Sequence, residues 1–218
     1  MISNQSIYEH VSQLNEVVIT SDEFMQAFNG IQQCAERSVA YKEPIGSMLL
    51  AKGGLGKTTL CNTIVSQMPR SIKIEKDRKK TIIPAFYVEV PSPATVKSLA
   101  ITMLHKLGDP SHHTGTTSYL TDRLGYLLRQ CETKLVFLDE FHHLVDLTKT
   151  SKRLNQNVAS WIKNLVNRTG ITFCLVGLPE FESIIKDDTQ LARRFPLSFK
   201  FKNLQYSPNQ NGTIQKFL

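Results

Sequence analysis

Cysteine is scarce in this sequence, and its placement disfavours several classes of small protein. The 218 residues contain four cysteines and no C-x-x-C pair; the four are Cys34, Cys61, Cys131 and Cys174. Disulfide frameworks and zinc clusters need paired or closely spaced cysteines, so neither is expected here. Scattered thiols instead favour a reducing compartment, and we therefore expect a cytoplasmic protein.

Long apolar runs and targeting patterns are also missing. No apolar segment approaches the roughly 20 residues that a membrane-spanning helix needs. The stretch "MISNQSIYEH" has no basic segment followed by an apolar run, which argues against a secretory signal. The chain also lacks the G-x-S-x-G sequence that carries the nucleophile of many hydrolases. We therefore expect neither a membrane partner nor serine-hydrolase chemistry.

Positive charge, in contrast, is in excess. Lysine and arginine number 26 against 19 acidic residues, which gives a formal net charge of +7. This balance favours anionic partners such as nucleic acid. Hydrophobic residues make up 41% of the chain, enough for one globular domain with a good core. We expect that domain at residues 21–205, with an N-terminal arm at 1–20 and a tail or truncated helical lid at 206–218.

Strand-like and helix-like segments alternate along the domain. Ser21 is a good N-cap for a helix over residues 21–37, and further segments with helical spacing separate the strands. The charged stretch "RSIKIEKDRKK" is expected to form an exposed loop or hairpin. Five segments have the apolar character of buried strands: "GSMLLA", "IIPAFYVEV", "KLVFLDE", "ITFCLVG" and "LSFKF". The pattern predicts an α/β fold with a mostly parallel, five-stranded sheet and helices on both faces.

The stretch "LLAKGGLGKTTL", residues 49–60, contains a phosphate-binding loop. It fits the pattern G-x-x-x-x-G-K-[ST], except that Ala51 replaces the first glycine. Backbone N–H groups of such a loop surround phosphate oxygens at the positive end of the following helix. Lys57 would reach the β- and γ-phosphates of ATP, and the Thr58 hydroxyl would bind Mg²⁺. The residues predicted to bind the nucleotide are Gly53, Gly54, Leu55, Gly56, Lys57, Thr58 and Thr59.

Two acids at the end of an apolar segment predict the second half of the site. "KLVFLDE" supplies a buried strand followed by Asp139 and Glu140. Asp139 would hold the Mg²⁺ shell, and Glu140 would polarise the attacking water. An acid pair after a strand is common by chance, but it is much more specific downstream of a phosphate-binding loop. The sequence therefore predicts an ATPase.

The run K-G-G-x-G-K-T-T also resembles the loop of the ParA/MinD partitioning ATPases, in which an early lysine reaches into a partner subunit. Lys52 holds that position here. The ParA class carries its loop near the start of the chain and lacks a glutamate paired with the second acid. Here a helix precedes the loop and Glu140 is present, which favours P-loop ATPases with an added strand between the two motifs.

Several motifs in order resemble the TniB/TnsC family of transposition ATPases, AAA+ proteins similar in role to the phage Mu B protein. These are the helix before the loop, "LLAKGGLGKTTL", "KLVFLDEFHHL", "ITFCLVGLPEFESII" and "QLARRF", which together span roughly residues 15–205. The resemblance implies a bacterial, DNA-associated protein that assembles into rings or filaments on double-stranded DNA when ATP is bound. It would link a TniQ/TnsD-like target selector to a TnsB/TniA-like transposase, with ATP hydrolysis driving disassembly.

The resemblance also implies roles for particular residues. Arg194, with Arg193 as the near alternative, matches the arginine that a subunit supplies to its neighbour's γ-phosphate. The family usually has a small polar sensor in a G-T-P-E run, where this chain has Leu178. Leucine cannot hydrogen-bond, so slow hydrolysis is expected unless another polar group substitutes. From the same resemblance, a helical lid with a second sensor arginine would follow the domain, and we expect it to be missing or only begun here.

DNA contacts are expected from exposed basic and hydroxyl residues. In the family, DNA lies along the inner face of the ring, which favours Lys97, Thr116 and Thr117 as contacts that would position DNA through its phosphates. A second group of predicted DNA-binding residues follows the acid motif and consists of Lys149, Lys152 and Arg153. The alternatives that stay open are a STAND-type signalling ATPase, a ParA-like partitioning ATPase and a remnant without enzymatic activity.

Overall fold

The computed structural model describes residues 21–40, 44–75, 78–146 and 153–202. The arm predicted at 1–20 and the tail predicted at 206–218 lie outside these ranges. Within them, one sheet contains five strands: β1 (Ser47–Leu50), β4 (Ala85–Glu89), β5 (Leu135–Asp139), β8 (Thr172–Gly177) and β9 (Leu197–Lys200). The strands are parallel and lie in the order β4-β5-β8-β1-β9. The predicted α/β fold with a five-stranded parallel sheet is confirmed.

Helices cover both faces of the sheet because the buried strands are apolar on both sides. Helices α1 (Asp22–Ala40) and α2 (Lys57–Gln67) pack on the face that carries Leu49 and Phe137. Five helices cover the opposite face, which carries Met48 and Leu138. They are α3 (Val96–Lys106), α4 (Thr117–Gln130), α5 (Gln156–Thr169) and two short helices, α6 (Phe181–Asp187) and α7 (Thr189–Arg194).

Helix ends agree with the capping residues in the sequence. Ser21 accepts the N–H of Phe24 at 3.1 Å, as predicted for the first helix. Helix α5 ends at Gly170, whose φ of 71° is the left-handed conformation expected of a terminating glycine.

The charged segment before β4 forms a hairpin of β2 (Ser71–Glu75) and β3 (Arg78–Ile82). The prediction of a single strand over "IIPAFYVEV" was wrong, because Ile82 belongs to the hairpin and β4 begins at Ala85. Pro84 separates the two strands: it has no N–H for a ladder, and its carbonyl accepts the N–H groups of Lys134 and Leu135.

A short 3₁₀ helix, Phe141–Leu144, follows β5 and leads into a minor pair of strands, β6 (Val145–Asp146) and β7 (Arg153–Leu154). Phe141 and Leu144 are buried in the core, so this turn is held firmly beneath the edge of the sheet. Among the helices of the described ranges, none combines the length and the apolar character that crossing a membrane requires.

Candidate nucleotide-binding site

The phosphate-binding loop connects β1 to α2 at the carboxyl edge of the sheet. Ala51 prolongs the pairing of β1 with β8, since its N–H donates to the Gly177 carbonyl at 3.0 Å. Ala51 is fully buried and is not among the described residues with positive φ. An alanine is therefore compatible with the first position of the loop, where the motif usually has glycine.

Two later glycines of the loop are required by backbone conformation. Gly54 has a φ of 76° and Gly56 a φ of 85°, both in the left-handed region that side chains disfavour. A Cβ placed on Gly53, Gly54 or Gly56 would meet no atom within 4 Å, so the inner surface of the loop is open. The loop thus presents accessible backbone at the start of α2.

The first turn of α2 carries the predicted lysine and threonine. Helix α2 begins at Lys57 and has no acidic residue in its first turn, so the positive end of its dipole is not offset locally. The ammonium of Lys57 donates to the carbonyls of Ala51 at 2.9 Å and Lys52 at 3.1 Å. Lys57 therefore lies over the loop. Thr58 and Thr59 are exposed beside it, and Leu55 is half-buried.

Asp139 meets the loop because β8 alone separates β5 from β1. This is the added strand that the sequence predicted between the two motifs. The Thr58 hydroxyl donates to Oδ2 of Asp139 at 3.4 Å, although 81 positions separate the two residues in the chain. Asp139 is only 2% exposed, and its Oδ1 accepts the N–H of Glu140 at 2.7 Å. The predicted magnesium pair is therefore brought together.

Tyr87 is a third member of this cluster that the sequence did not single out. It lies on β4 beside Phe137 of β5, and its hydroxyl donates to Oδ2 of Asp139 at 2.5 Å. Burial and the hydrogen bond to Asp139 raise the pKa of Tyr87, so the phenol stays protonated and donates at neutral pH. Burial, with Cys174 and Asp139 nearby, also raises the pKa of the Cys61 thiol behind the loop.

The donor set fits a nucleotide with Mg²⁺. Hydroxyl and carboxylate oxygens are the ligands that Mg²⁺ prefers, and Thr58 and Asp139 present them side by side. The open glycine surface and the Lys57 ammonium suit a polyphosphate. The residues that would hold the group are thus Lys57, Thr58 and Asp139, with the N–H groups of the loop.

Glu140 has an unusual backbone next to this cluster. Its φ is 53°, a left-handed conformation that non-glycine residues seldom adopt and that clusters at functional sites. Its side chain is 41% exposed, and Oε2 lies 2.8 Å from Nδ1 of His142. The predicted general base is therefore present at the edge of the cluster, and its side-chain contact is with a histidine that the sequence analysis left without a role.

Arg193 and Arg194 lie at the other end of the sheet. The N–H of Gly46, just before β1, donates to the Arg194 carbonyl at 2.7 Å, and β9 starts beside Ser47. The phosphate-binding loop follows the opposite end of β1. Neither arginine is thus brought to the phosphate-binding loop of its own chain. Arg193 is exposed and Arg194 is half-buried.

The predicted DNA contacts stay predictions. Lys97 is exposed in the first turn of α3. Thr116 is the N-cap of α4, where its hydroxyl accepts the Tyr119 N–H at 3.3 Å, and Thr117 is the exposed first residue of that helix. Arg153 lies on β7, where its backbone is opposite Asp146 of β6 in the strand register. Lys149 and Lys152 fall outside the described residues.

The order of these parts matches a known family over most of the chain. A family model described as "Bacterial TniB protein" matches residues 9–203, which include the loop, the acid pair and both arginines. This chain belongs to the TniB family. The resemblance to TniB/TnsC proteins that the motifs carry is thereby confirmed, and a search of curated proteins found no match.

A solved structure is similar to this TniB-family chain in fold. It is the Orc1 protein of Aeropyrum pernix in complex with DNA, with a TM-score of 0.57 and 14% sequence identity. The similarity covers 86% of the present chain, which spans only 46% of the Orc1 chain. At this identity the likeness shows the fold, the P-loop ATPase fold of AAA+ type that the sequence predicted.

Two residues of the TniB-family site could not be recognised beforehand. Tyr87 is one aromatic residue within an apolar strand, a pattern that usually marks the core. His142 is one of two adjacent histidines, and no motif in the sequence assigns a role to either of them. The sequence "DEFHH" offered a weak signal, since it places His142 two residues after the predicted base.

Proposed function

We propose that this TniB-family protein is an ATP-dependent, DNA-binding regulator of transposition. It assembles on duplex DNA with ATP bound, links a TniQ/TnsD-like target selector to a TnsB/TniA-like transposase, and leaves the DNA after ATP hydrolysis. The observation that carries the proposal is the joining of Thr58, Asp139 and Glu140 at one edge of the sheet in a chain of this family.

The chemistry of the site is phosphoryl transfer to water. ATP would supply the γ-phosphate, and Mg²⁺ would neutralise part of the negative charge of the phosphates. Lys57 and the loop N–H groups hold the phosphates, and Asp139 and Thr58 hold the metal ion. Glu140 accepts a proton from the attacking water. Asp139 is assigned to the metal ion and not to the base because it is buried and its Oδ2 lies beside the Thr58 hydroxyl.

Assembly supplies what a single subunit lacks. Because Arg194 lies at the end of β1 opposite the loop, it can act only on the nucleotide of a neighbouring subunit. An arginine supplied in this way stabilises charge as the phosphoryl group moves, and it is worth about 10³ to 10⁵ in rate in GTPases. Hydrolysis therefore depends on a head-to-tail contact between subunits, the kind that builds rings or filaments.

DNA binding rests on charge and on the exposed ends of helices. The formal charge of +7 suits a sequence-independent attraction to phosphates. Lys97 and Thr117, in the first turns of α3 and α4, are the exposed residues that we assign to DNA contacts. Such contacts position the duplex without reading its sequence, which suits a protein whose target is selected by a partner.

Turnover measurements with matched variants test the enzymatic part of the proposal. Phosphate release by the wild-type protein, with and without duplex DNA, is compared with release by Lys57→Ala and Glu140→Gln. Lys57→Ala is expected to lose ATP binding, whereas Glu140→Gln is expected to bind ATP, to hydrolyse it about 10² to 10⁴ times more slowly, and to persist on DNA. Wild-type protein that binds ATP but releases no phosphate under any of these conditions would contradict the proposal.

A further inference from the structure

Glu140 requires a positioning contact because neither its backbone nor solvent fixes its carboxylate. A glutamate has three side-chain torsions, and this side chain is 41% exposed. Its left-handed backbone carries strain that persists only where the surroundings hold it. The backbone is held at both ends of the residue: the N–H of Glu140 donates to Asp139, and its carbonyl accepts the His143 N–H at 2.9 Å. The carboxylate needs a partner of its own.

His142 is that partner. Its Nδ1 lies 2.8 Å from Oε2 of Glu140, which is ion-pair distance, and Nδ1 itself is buried. The two atoms do not have the directional geometry of a hydrogen bond, and Nδ1 has no hydrogen-bond partner among the described residues. The ring therefore limits the position of the carboxylate by close polar contact. Within the described part of the chain no hydrogen bond to Oε1 is seen, which leaves that oxygen for the proton of a water.

The His142 ring is itself held in place. It stacks on Phe181 with the ring centroids 5.8 Å apart, and it meets the edge of His143 at 4.4 Å. His143 is anchored in turn, because its Nδ1 lies 2.7 Å from the Val90 carbonyl. A ring fixed on two sides transmits its position to the carboxylate that it contacts.

The same contacts place His142 beside the turn that contains Leu178. Phe181 donates its N–H to the Leu178 carbonyl at 3.1 Å, so the ring under His142 belongs to that turn. Gly177, the preceding residue, lies against Phe141 of the 3₁₀ helix. Leu178 offers no polar side-chain atom here, whereas His142 does.

We propose that His142 is a positioning residue for Glu140: it holds Oε2 of the base and supplies the polar side chain that Leu178 does not. This inference rests on the proposed ATPase function, since Glu140 needs positioning only if it activates a water. The main rival is a purely structural role, in which the His142 ring only packs on Phe181.

Two substitutions separate the polar role from the packing role. His142→Phe keeps an aromatic ring over Phe181 and removes Nδ1. His142→Asn keeps a polar atom near the position of Nδ1 and removes the ring. The matched control is His113→Phe, at an exposed histidine of the loop between α3 and α4 that belongs neither to the nucleotide site nor to the contacts of His142.

Kinetics and ATP affinity give the first test. We expect His142→Phe to lower kcat by about 10- to 100-fold, the scale of a misplaced catalytic group, while KM and the affinity for a fluorescent ATP analogue change less than about 2-fold. His142→Asn should recover most of kcat, and His113→Phe should leave kcat within about 3-fold of the wild type. An unchanged kcat in His142→Phe, or no recovery in His142→Asn, overturns the positioning role.

A spectrum of the nucleotide-free protein gives a second test that does not depend on turnover. In ¹⁵N spectra of the histidine rings, Glu140→Gln should shift the His142 signals and leave the His143 signals in place. Unshifted His142 signals overturn the contact. Absence of turnover in the wild-type protein contradicts the proposed function and this inference together, whereas normal turnover in both wild type and His142→Phe contradicts this inference alone.

Discussion

At the scale of single residues, the site is organised around the buried Asp139 carboxylate. Its two oxygens accept three hydrogen bonds from three parts of the chain, donated by the Glu140 N–H, the Tyr87 hydroxyl and the Thr58 hydroxyl. A carboxylate that is 2% exposed is costly unless it is satisfied in this way. The same hydrogen bonds hold the oxygens beside Thr58, ready for a metal ion.

Tyr87→Phe removes one of these donors without changing the shape of the side chain. We expect the variant to need a several-fold higher Mg²⁺ concentration for half-maximal binding of an ATP analogue, because the carboxylate loses one of the bonds that orient it. The expected cost in folding free energy is about 1 kcal/mol, as for one hydrogen bond. Tyr126→Phe, at a tyrosine that is 56% exposed, is the control. Equal Mg²⁺ requirements for all three proteins would rule out the orienting role.

The sequence sufficed for residues whose role is set by a motif, and not for residues whose role is set by the fold. Lys57 and Thr58 were assigned because a glycine loop before a helix has one main use. The sequence assigns no role to Tyr87, because its partner Asp139 lies 52 positions away in the chain. It assigns none to His142, because the approach to Glu140 depends on the left-handed backbone of that residue. A left-handed glutamate follows from no local pattern, since glycine and asparagine are the residues that favour it.

At the scale of elements, the strands and helices followed from periodicity, and the one wrong strand followed from a proline. Four of the five predicted strands lie where the apolar segments indicated, within a residue or two. The error over "IIPAFYVEV" came from counting an apolar run across Pro84, which ends the hairpin and precedes β4. The sheet order was only partly foreseeable: Glu140 indicated the added strand, and the position of β9 beside β1 came from the structure.

One electrostatic contact at this scale connects α6 to the edge strand β9. Glu182 accepts hydrogen bonds from Lys186 and Ser198 and pairs with Lys200, and the bonds from Lys186 and Lys200 lower its pKa to about 2. A carboxyl with a lowered pKa stabilises the folded state above its ordinary pKa. That contribution is lost as the pH falls through about 2. The contact between α6 and β9 is therefore weakened by acid.

Glu182→Gln is expected to lower the free energy of unfolding by about 1 kcal/mol at pH 7, a modest amount because both lysines are about half exposed. The difference from the wild type should shrink at pH 3, where the unfolded carboxyl is already protonated. Urea unfolding at the two pH values measures it. Glu180→Gln, at an exposed glutamate of the same turn, should have little effect at either pH. A Glu182→Gln effect that grows on acidification would contradict this account.

At the scale of the whole molecule, the groups that we propose to be catalytic are divided between two ends of the sheet. The loop, Asp139 and Glu140 lie at the carboxyl edge, whereas Arg193 and Arg194 precede β9 at the opposite edge. A subunit that carries one half of a site at each end of its sheet suits head-to-tail assembly, because every contact between subunits then completes one site. This division is visible only once the strand order is known.

Mixing two inactive variants tests whether the arginine acts between subunits. Glu140→Gln and Arg194→Ala are each expected to be nearly inactive alone, and Glu140→Gln is used because it still binds the ATP that assembly requires. Random 1:1 assemblies should regain about a quarter of the wild-type turnover, because an intact Glu140 then meets an intact Arg194 in about one contact in four. Arg193→Ala replaces Arg194→Ala in a parallel mixture to distinguish the two arginines. A failure of both mixtures to regain activity would argue against an arginine supplied by a neighbour.

The most direct test of the central claim is duplex DNA binding in different nucleotide states. Fluorescence anisotropy with a labelled duplex is measured with a non-hydrolysable ATP analogue, with ADP and without nucleotide, each at several salt concentrations. The account predicts tight binding only with the ATP analogue, and a log–log salt slope of about −0.9 for each DNA phosphate neutralised. Equal affinity in all three nucleotide states would contradict the claim that ATP switches this protein onto DNA.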